Sequence, residues 1–373
     1  MTPALFTPLQ IGPVLAPNRI AVAPMCQYAA HDGVMSDWHL QHLMTLAMSG
    51  AGLVTVEATA VERIGRITHG CCGLYSDDAE RTMSRVIAAA RAVALPGVKF
   101  SIQLAHAGRK ASTAPPFEGG KPLTAAQDAW PTVSASGLPF GEGWHSPSAL
   151  DAAGMARVKD AFVAAARRAA RIGFDAVELH MTHGYLMAQF LSPLSNRRED
   201  GYGGSLENRM RFPLEVAEAV ANVLPQTMAW GGRITGDEWL EGGITPQEAA
   251  ALASELKRRS ASFVCVSSGG NSPASRIPAT PGYQVPFAAY VKRHAGEGLA
   301  VRAVGLIVDP REAEAILERG EADWIALGRA FLDDPRWGWR AAEAFGVAQA
   351  CPPRYARAAP NVWPGAGWLR GQA

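Results

Sequence analysis

Short apolar runs, rich in branched residues and bounded by turn or polar residues, recur along the chain. Runs of this kind predict the strands of a parallel sheet that is buried on both faces. Eight can be counted, and they cover Arg19–Pro24, Leu53–Ala58, Lys99–Gln103, Ala176–His180, Thr227–Arg233, Phe263–Ser267, Val301–Gly305 and Asp323–Gly328.

Alanine-rich amphipathic segments lie between these runs and predict helices. Several of them open with a proline, which the first helical turn tolerates because its N–H groups have no partner inside the helix. The alternation of eight strands with helices predicts an α/β fold, a (β/α)₈ TIM barrel. The clearest helical segments are Ala153–Arg171, Pro213–Leu224, Pro246–Arg259 and Pro310–Arg319.

The chain has 373 residues, more than the ~250 that such a barrel typically needs. We expect a single domain over residues 1–373, with the extra length in three places. Residues 5–19 read as an N-terminal hairpin that caps the bottom of the barrel. Residues 111–150 form a long loop after strand 3, and residues 346–373 form a C-terminal extension.

The net charge is only +1 and the charged residues are interspersed, so we expect neither nucleic-acid nor membrane binding. Five cysteines without paired spacing imply no disulfide scaffold, and together with the lack of a signal-like N-terminus they favour a cytoplasmic protein.

Cys71 and Cys72 are adjacent. They could be a redox or metal pair with His69, but buried thiols are the simpler interpretation because no second pair completes a four-ligand site.

The stretch His180-Met-Thr-His183-Gly-Tyr185 follows an apolar run directly and places three polar rings where a strand becomes a loop. Two imidazoles three residues apart can both direct N–H groups at one oxygen, and a nearby phenol can supply a proton. The alternatives are a structural histidine with satisfied hydrogen bonds and a His-x-x-His metal site.

Catalytic residues of such barrels come from the carboxyl ends of several strands. The glycine-rich ends of strands 7 and 8 indicate a phosphate site. An amide from Gln103 and a guanidinium from Arg233 suit the edge of a flavin, whose reduced form carries negative charge. For Arg233, an ion pair with Asp237 or Glu238 is the alternative.

The chain resembles the Old Yellow Enzyme family of flavin-dependent ene-reductases over nearly its full length. It is most similar to the bacterial, cysteine-bearing branch that contains the xenobiotic reductases and the thermophilic-like enzymes. The motifs that carry the resemblance are Ala23–Tyr28, Glu57–Thr59, Ile102–Lys110, His180–Leu186, Ser195–Arg209 and Leu327–Arg329.

This resemblance implies non-covalently bound FMN, with NADPH or NADH as the reductant. It implies reduction of activated C=C bonds in enones, enals, maleimides and nitroalkenes, by hydride transfer from flavin N5. Tyr185 would supply the proton, His180, His183 and Tyr28 would face the substrate, and Cys26 would tune the flavin, with a nucleophilic role as its alternative. The implied FMN contacts are Ala23, Pro24, Met25, Cys26, Ala58, Gln103, Arg233, Gly305, Gly328 and Arg329.

Two positions depart from the branch pattern. Thr182 stands where alanine is common, and its hydroxyl could reach the pocket or simply pack. Ala23 stands where serine is frequent, and it should matter little because the expected contact is through the backbone. The charged segment from Asn196 to Arg209 is expected to be structural, with Ser205 as a helix N-cap.

The C-terminal extension carries aromatic and arginine residues, which are the usual anchors of protein interfaces. The resemblance implies a homodimer, or a dimer-based oligomer, in which Arg357, or less surely Trp363 or Trp368, reaches the neighbouring subunit's pocket. The alternative is a tail packed on its own barrel.

Two other classes of protein are alternatives. An iron–sulfur relative would need a cysteine cluster, and Cys351 stands alone in the tail. A non-redox barrel, either a lyase or isomerase for a sugar phosphate or a ligand-binding barrel, would not bind flavin.

Overall fold

Eight parallel strands close into a barrel in the computed structural model, which describes residues 2–348 and 350–369. The barrel strands follow one another around the barrel in chain order, so the predicted TIM barrel is confirmed. The barrel strands are β3 (Ile20–Val22), β4 (Leu53–Ala60), β5 (Lys99–Ala105), β8 (Ala176–Met181), β9 (Ala229–Thr235), β10 (Phe263–Ser267), β11 (Ala300–Val304) and β12 (Trp324–Leu327).

Four further strands lie outside the barrel. Two form the predicted N-terminal hairpin, an antiparallel pair, and two form a short parallel pair in the long loop after β5. These strands are β1 (Leu9–Ile11), β2 (Val14–Ala16), β6 (Val133–Ser134) and β7 (Ser148–Ala149).

Helices surround the barrel and continue into the C-terminal extension. They are α1 (Asp37–Ala47), α2 (Asp77–Val93), α3 (Ala152–Ile172), α4 (Leu186–Leu191), α5 (Leu206–Ala221), α6 (Pro246–Arg258), α7 (Val285–His294), α8 (Pro310–Glu318), α9 (Arg329–Asp333), α10 (Trp337–Ala344) and α11 (Gly365–Leu369).

Two apolar layers hold these elements together. The larger one fills the space between the strands and the helices, where burial of apolar surface is the main stabilising contribution. The smaller one lies inside the barrel, where Ile11, Val14 and Ala16 of the hairpin pack against inward residues such as Phe263 and Trp324. The hairpin therefore closes the bottom of the barrel, as the sequence predicted.

A buried ion pair lies above this closed end, between the Arg302 guanidinium of β11 and the Glu178 carboxylate of β8. Both side chains are fully buried. The guanidinium also lies 4.6 Å from the ring centroid of Trp324 and 5.5 Å from that of Phe263, where the ring faces favour a cation. The barrel interior therefore changes from apolar at the bottom to charged in the middle.

Most predicted helix starts agree with the structure. Pro246 and Pro310 occupy the first turns of α6 and α8, and Ser205 caps α5 by accepting a hydrogen bond from the Asn208 N–H. The Ser205 cap satisfies a backbone donor that the helix itself leaves unpaired, and each proline occupies a position where its missing N–H costs no helical hydrogen bond.

The predicted helix start at Pro213 is wrong, because Pro213 lies inside α5, which begins at Leu206. A proline in a helix interior costs ~3 kcal/mol or more, since one backbone hydrogen bond is lost. The preceding turn is held from outside the helix: the Arg209 guanidinium donates to the Leu191 carbonyl and pairs with Glu248 2.6 Å away. These contacts keep the helix continuous through the proline.

The tail begins on the barrel and then becomes exposed. The Tyr355 ring lies 6.4 Å from the Trp339 ring of α10, with the Arg336 guanidinium 5.1 Å from its centroid. Trp363 and Trp368 are 42% and 76% exposed. Among the described residues, no helix is long and apolar enough to cross a membrane.

Candidate active site

The end of β8 brings the predicted rings together. His180 lies in the strand, His183 lies in the following turn with a φ of 59°, and Tyr185 is the N-cap of α4. His180 Nε2 is 3.4 Å from His183 Nδ1, and the Tyr185 ring meets His180 edge-on with centroids 4.9 Å apart. Two imidazole nitrogens thus face a common point beside a phenol.

The electrostatic surroundings keep all three rings uncharged. Burial, followed by the positive charge of Arg233, lowers the pKa of His180 and His183 well below the ordinary value. Burial also raises the pKa of the Tyr185 phenol well above its ordinary value. At neutral pH, each histidine therefore offers one N–H donor, and Tyr185 retains its proton.

A cavity of about 380 Å³ opens to solvent beside His183. Its lining comes from the carboxyl ends of the first barrel strand and of the last five, which is where this fold places its ligands. The predicted site residues that line it are Ala23, Pro24, Met25, His183, Arg233, Gly305, Gly328 and Arg329.

Arg233 lines this cavity and has an unpaired hydrogen-bond donor. Its Nε is buried and has no hydrogen-bond partner among the described residues. Glu238 is one of the two ion-pair partners that the sequence suggested for Arg233. Its carboxylate instead accepts hydrogen bonds from Ser192 Oγ at 2.6 Å and from the Ile244 N–H at 3.0 Å. Because a buried, unpaired donor is costly, Arg233 fits an anionic or oxygen-rich ligand.

The backbone beside Arg329 leaves room for such a ligand. Gly305 has a φ of 119°, and a Cβ at this position would lie 2.4 Å from Gln284 Nε2, so only glycine fits there. Gly328 precedes Arg329 at the start of α9. A narrow glycine-lined wall with a neighbouring guanidinium suits a phosphate, so these residues fit the phosphate-bearing end of FMN.

Three of the predicted FMN contacts do not line this cavity and lie instead at or near the ends of barrel strands. They are Gln103, Ala58 and Cys26. Ala58 and Tyr185 line a much smaller cavity of about 10 Å³. Gln103 is buried, and its Nε2 donates to Glu178 Oε1 at 2.7 Å, which fixes the orientation of the amide. Sequence reasoning missed Glu178, because its partners lie 75 and 124 residues away.

Cys26 and Tyr28 follow β3. Hydrogen bonding to the Cys71 sulfur, burial and the Glu57 carboxylate raise the pKa of the Cys26 thiol well above its ordinary value. Burial also raises the pKa of Tyr28, whose ring contacts Phe117 edge-on at 6.0 Å. A protonated thiol is a poor nucleophile, which favours the non-covalent interpretation of Cys26.

The adjacent cysteines are buried, as expected, and all five cysteines are free. One cluster of possible metal ligands is found among the described residues, formed by His39, Glu57 and Cys72. The Ser36 N–H donates to His39 Nδ1 at 3.0 Å, so the proton lies on Nε2. Nε2 is then a donor toward Glu57 at 3.3 Å and Cys72 at 3.2 Å, an arrangement that favours a hydrogen-bonded structural cluster over a metal site.

Lys110 is a half-buried amine for which the motif Ile102–Lys110 predicted no role. Its Nζ donates to the carbonyls of His183 at 2.9 Å and Gly270 at 2.7 Å, and lies 5.2 Å from the Tyr185 ring centroid. Burial and the neighbouring Arg109 lower its pKa to about 7. Lys110 thus ties the turn that carries His183 to the loop after β10.

Two remaining predicted residues lie away from the cavity. Thr182 is fully buried and accepts a hydrogen bond from Thr235 Oγ1 at 2.9 Å, so its hydroxyl packs against β9 instead of facing a ligand. Arg357 lies on an exposed 3-10 helix, Pro353–Ala358, and does not line this chain's cavity.

Comparison with known proteins extends these observations. The pattern of the NADH:flavin oxidoreductase / NADH oxidase family matches residues 4–346. The chain is 38% identical over 363 residues to the NADPH dehydrogenase of Geobacillus thermodenitrificans, covering 96% of this chain and 99% of that protein. It is 40% identical over 347 residues to an NADH:flavin oxidoreductase of Gibberella zeae, covering 89% and 83%.

A solved structure shows the same architecture. Morphinone reductase superposes with a TM-score of 0.76 at 31% identity, covering 95% of this chain and 93% of that one. These similarities to flavin oxidoreductases exclude the non-redox alternatives, a lyase or isomerase and a ligand-binding barrel. The chain belongs to the NADH:flavin oxidoreductase / NADH oxidase family, a family of enzymes whose flavin is FMN and whose reductant is NADH or NADPH.

Proposed function

We propose that this enzyme reduces the activated C=C bond of enones, enals, maleimides and nitroalkenes. The observation that carries the proposal is the convergence of two neutral imidazoles, with nitrogens 3.4 Å apart, beside a protonated phenol. When bound, FMN reduced by NADPH or NADH supplies the hydride. The chain itself must hold the alkene, stabilise negative charge and deliver a proton.

The imidazoles perform the first two tasks. A carbonyl or nitro oxygen that accepts N–H groups from His180 and His183 becomes more negative as the alkene is reduced, so these hydrogen bonds strengthen in the transition state. Tyr28 lies on the substrate side, and Tyr185 delivers its phenolic proton to the α-carbon.

For the flavin, we propose contacts from Ala23, Pro24, Met25, Cys26, Ala58, Gln103, Arg233, Gly305, Gly328 and Arg329. Arg233 has a buried Nε without a partner among the described residues, and Glu178 holds the Gln103 amide in one orientation. A guanidinium and a fixed amide suit the polar edge of a flavin.

The experiment that tests the function uses the purified, FMN-loaded protein. We expect flavin absorption bands, bleaching by NADPH or NADH without oxygen, and recovery of the oxidised spectrum when 2-cyclohexenone or a nitroalkene is added. A reduced enzyme that oxygen reoxidises and none of these alkenes does would contradict the proposal.

The histidine pair gives a prediction of its own. The double variant His180→Ala/His183→Ala should retain FMN and lose the charge-transfer band that a bound phenolate produces. Each donor to a charged oxygen is worth ~1.5–3 kcal/mol, so the phenolate Kd should rise at least ~100-fold. Titration of the flavin spectrum with 4-hydroxybenzaldehyde measures this.

Two controls accompany that titration. His294→Ala removes an exposed histidine of α7 and should leave the Kd unchanged. Treatment with EDTA should not change turnover, since the histidines are proposed to act as donors without a metal. Loss of turnover on chelation that zinc restores would overturn the assignment.

We further propose that the enzyme is cytoplasmic, that residues 1–373 act as one domain, and that it assembles as a homodimer. Arg357 would reach the partner subunit's pocket, with Trp363 and Trp368 as less favoured candidates. Exposed aromatic and arginine side chains of the tail support the dimer, whereas the contact of Tyr355 with Trp339 supports packing of its first part on its own barrel.

Removal of residues 352–373 should leave FMN bound while weakening dimerisation and raising KM for the alkene. Arg357→Ala alone should raise KM without dissociating the dimer, and Arg354→Ala, an exposed arginine of the same 3-10 helix, serves as the matched control. Sedimentation velocity and steady-state kinetics measure both effects. A truncated enzyme with unchanged mass and kinetics would exclude a role for the tail.

A further inference from the structure

The His183 ring lies between two possible partners. Its Nε2 is 2.8 Å from Ser267 Oγ, and its Nδ1 is 3.4 Å from His180 Nε2. A neutral imidazole carries one proton, so the role of Nε2 decides whether Nδ1 is a donor or an acceptor. Only a proton on Nδ1 makes His183 a second donor at the point that His180 also faces.

The His180 tautomer is fixed from the other side. The Thr182 N–H donates to His180 Nδ1 at 3.4 Å, which leaves the His180 proton on Nε2, directed at His183. Which nitrogen of the His183 ring carries the proton is therefore the one feature of the pair that these contacts do not fix.

The Ser267 hydroxyl has one proton and two acceptors within reach, His183 Nε2 and Gln284 Oε1 at 3.1 Å. Gln284 Nε2 donates to the Val304 carbonyl at 3.0 Å, which turns Oε1 toward the serines. Ser268 Oγ also donates to this oxygen, at 2.7 Å. Gln284 thus keeps a partner when Ser267 turns away.

Ser268 can fill this role because it has a donor of its own. Trp239 Nε1 donates to Ser268 Oγ at 2.9 Å, so the serine accepts from the indole and directs its proton to Gln284. The rotation of Ser267 therefore leaves no buried group of this network without a partner, and its cost is small.

Two arrangements follow. When Ser267 donates to Gln284, His183 Nε2–H donates to Ser267, and His183 Nδ1 accepts the proton of His180 Nε2. When Ser267 donates to His183 Nε2, the proton lies on Nδ1, and two N–H groups face one another. The second arrangement needs an oxygen between the rings, which is what a bound substrate provides.

We propose that Ser267 is a positioning residue whose hydroxyl sets the His183 tautomer, so that His183 becomes the second donor when an anionic oxygen enters the site. This inference rests on the proposed function. The His183 and Ser267 side chains carry the same number of protons in both arrangements, so the change of tautomer neither takes up nor releases a proton overall.

The experiment uses FMN-loaded enzyme labelled with ¹⁵N-histidine. Two-bond ¹H–¹⁵N correlation spectra distinguish the tautomers, and the His183 signals are identified by their loss in His183→Ala. We expect Nε2–H in the free enzyme and Nδ1–H with bound 4-hydroxybenzaldehyde. In Ser267→Ala the change should be absent, and the phenolate Kd should rise ~10-fold or more.

Ser267→Thr keeps a hydroxyl and should restore both the change of tautomer and the Kd. Ser268→Ala removes the hydroxyl that Gln284 keeps as a partner when Ser267 turns away, so it should weaken the change of tautomer without abolishing it. If Ser267→Ala does not hold FMN, the spectra of the wild type and of Ser267→Thr decide.

A wild-type enzyme that binds the phenolate and reduces enones while His183 keeps one tautomer would overturn this inference and leave the proposed function standing. An enzyme that binds no phenolate and reduces no enone would overturn the proposed function itself. A Ser267→Ala variant that changes tautomer as the wild type does would also refute the role of Ser267.

Discussion

Replacement of Tyr185 by phenylalanine is expected to slow alkene reduction by ~10²–10⁴-fold, the usual contribution of a general acid, and to leave reduction of the flavin by NADPH unchanged. The phenol is half-buried beside His180, and the loss of solvent around it raises its pKa, so it carries its proton at neutral pH. Phenylalanine keeps the ring contact and removes the hydroxyl group that carries the proton.

Stopped-flow measurement of the two half-reactions separates these effects. Tyr202→Phe, in which the lost hydroxyl contacts Glu215, is the matched control and should change neither rate. Strongly polarised nitroalkenes should be less affected, because their reduced product can take a proton from water. Equal slowing of both half-reactions would contradict the assignment of Tyr185 as the proton donor.

The second large effect concerns stability. Glu178→Gln should lower the free energy of unfolding by ~3–5 kcal/mol, because it leaves the Arg302 guanidinium charged, fully buried and without its counter-ion. Arg302 already has Nε and Nη1 without hydrogen-bond partners among the described residues, so the ring faces of Trp324 and Phe263 offset only part of the loss. Urea unfolding at saturating FMN measures the difference.

The double variant Glu178→Met/Arg302→Leu distinguishes a broken pair from a damaged core. Removal of both charges in favour of apolar side chains is often neutral or stabilising, so this protein should recover most of the loss. A Glu178→Gln enzyme with wild-type stability would show that the pair carries no net energy. Weakened FMN binding in the double variant is also expected, since Glu178 anchors Gln103.

Much of the fold could be predicted from the sequence because its signals are local. The apolar runs place the barrel strands, and proline or serine at a first turn places the starts of α5, α6 and α8. The family and its cofactor, read from the motifs at the strand ends, are confirmed. Strand ends of a parallel barrel meet at one face whatever the details of packing, so His183, Arg233 and Arg329 could be grouped without coordinates.

What only the tertiary structure decided depends on residues far apart in the chain. The Arg209–Glu248 contact keeps α5 helical through Pro213, although the local preference of proline is to begin a helix. The Glu178–Arg302 pair joins β8 to β11, and the closure of the barrel brings them together. The tautomer of a histidine depends on which partner lies within hydrogen-bond distance, so the role of Ser267 beside His183 becomes visible only when the strands are in place.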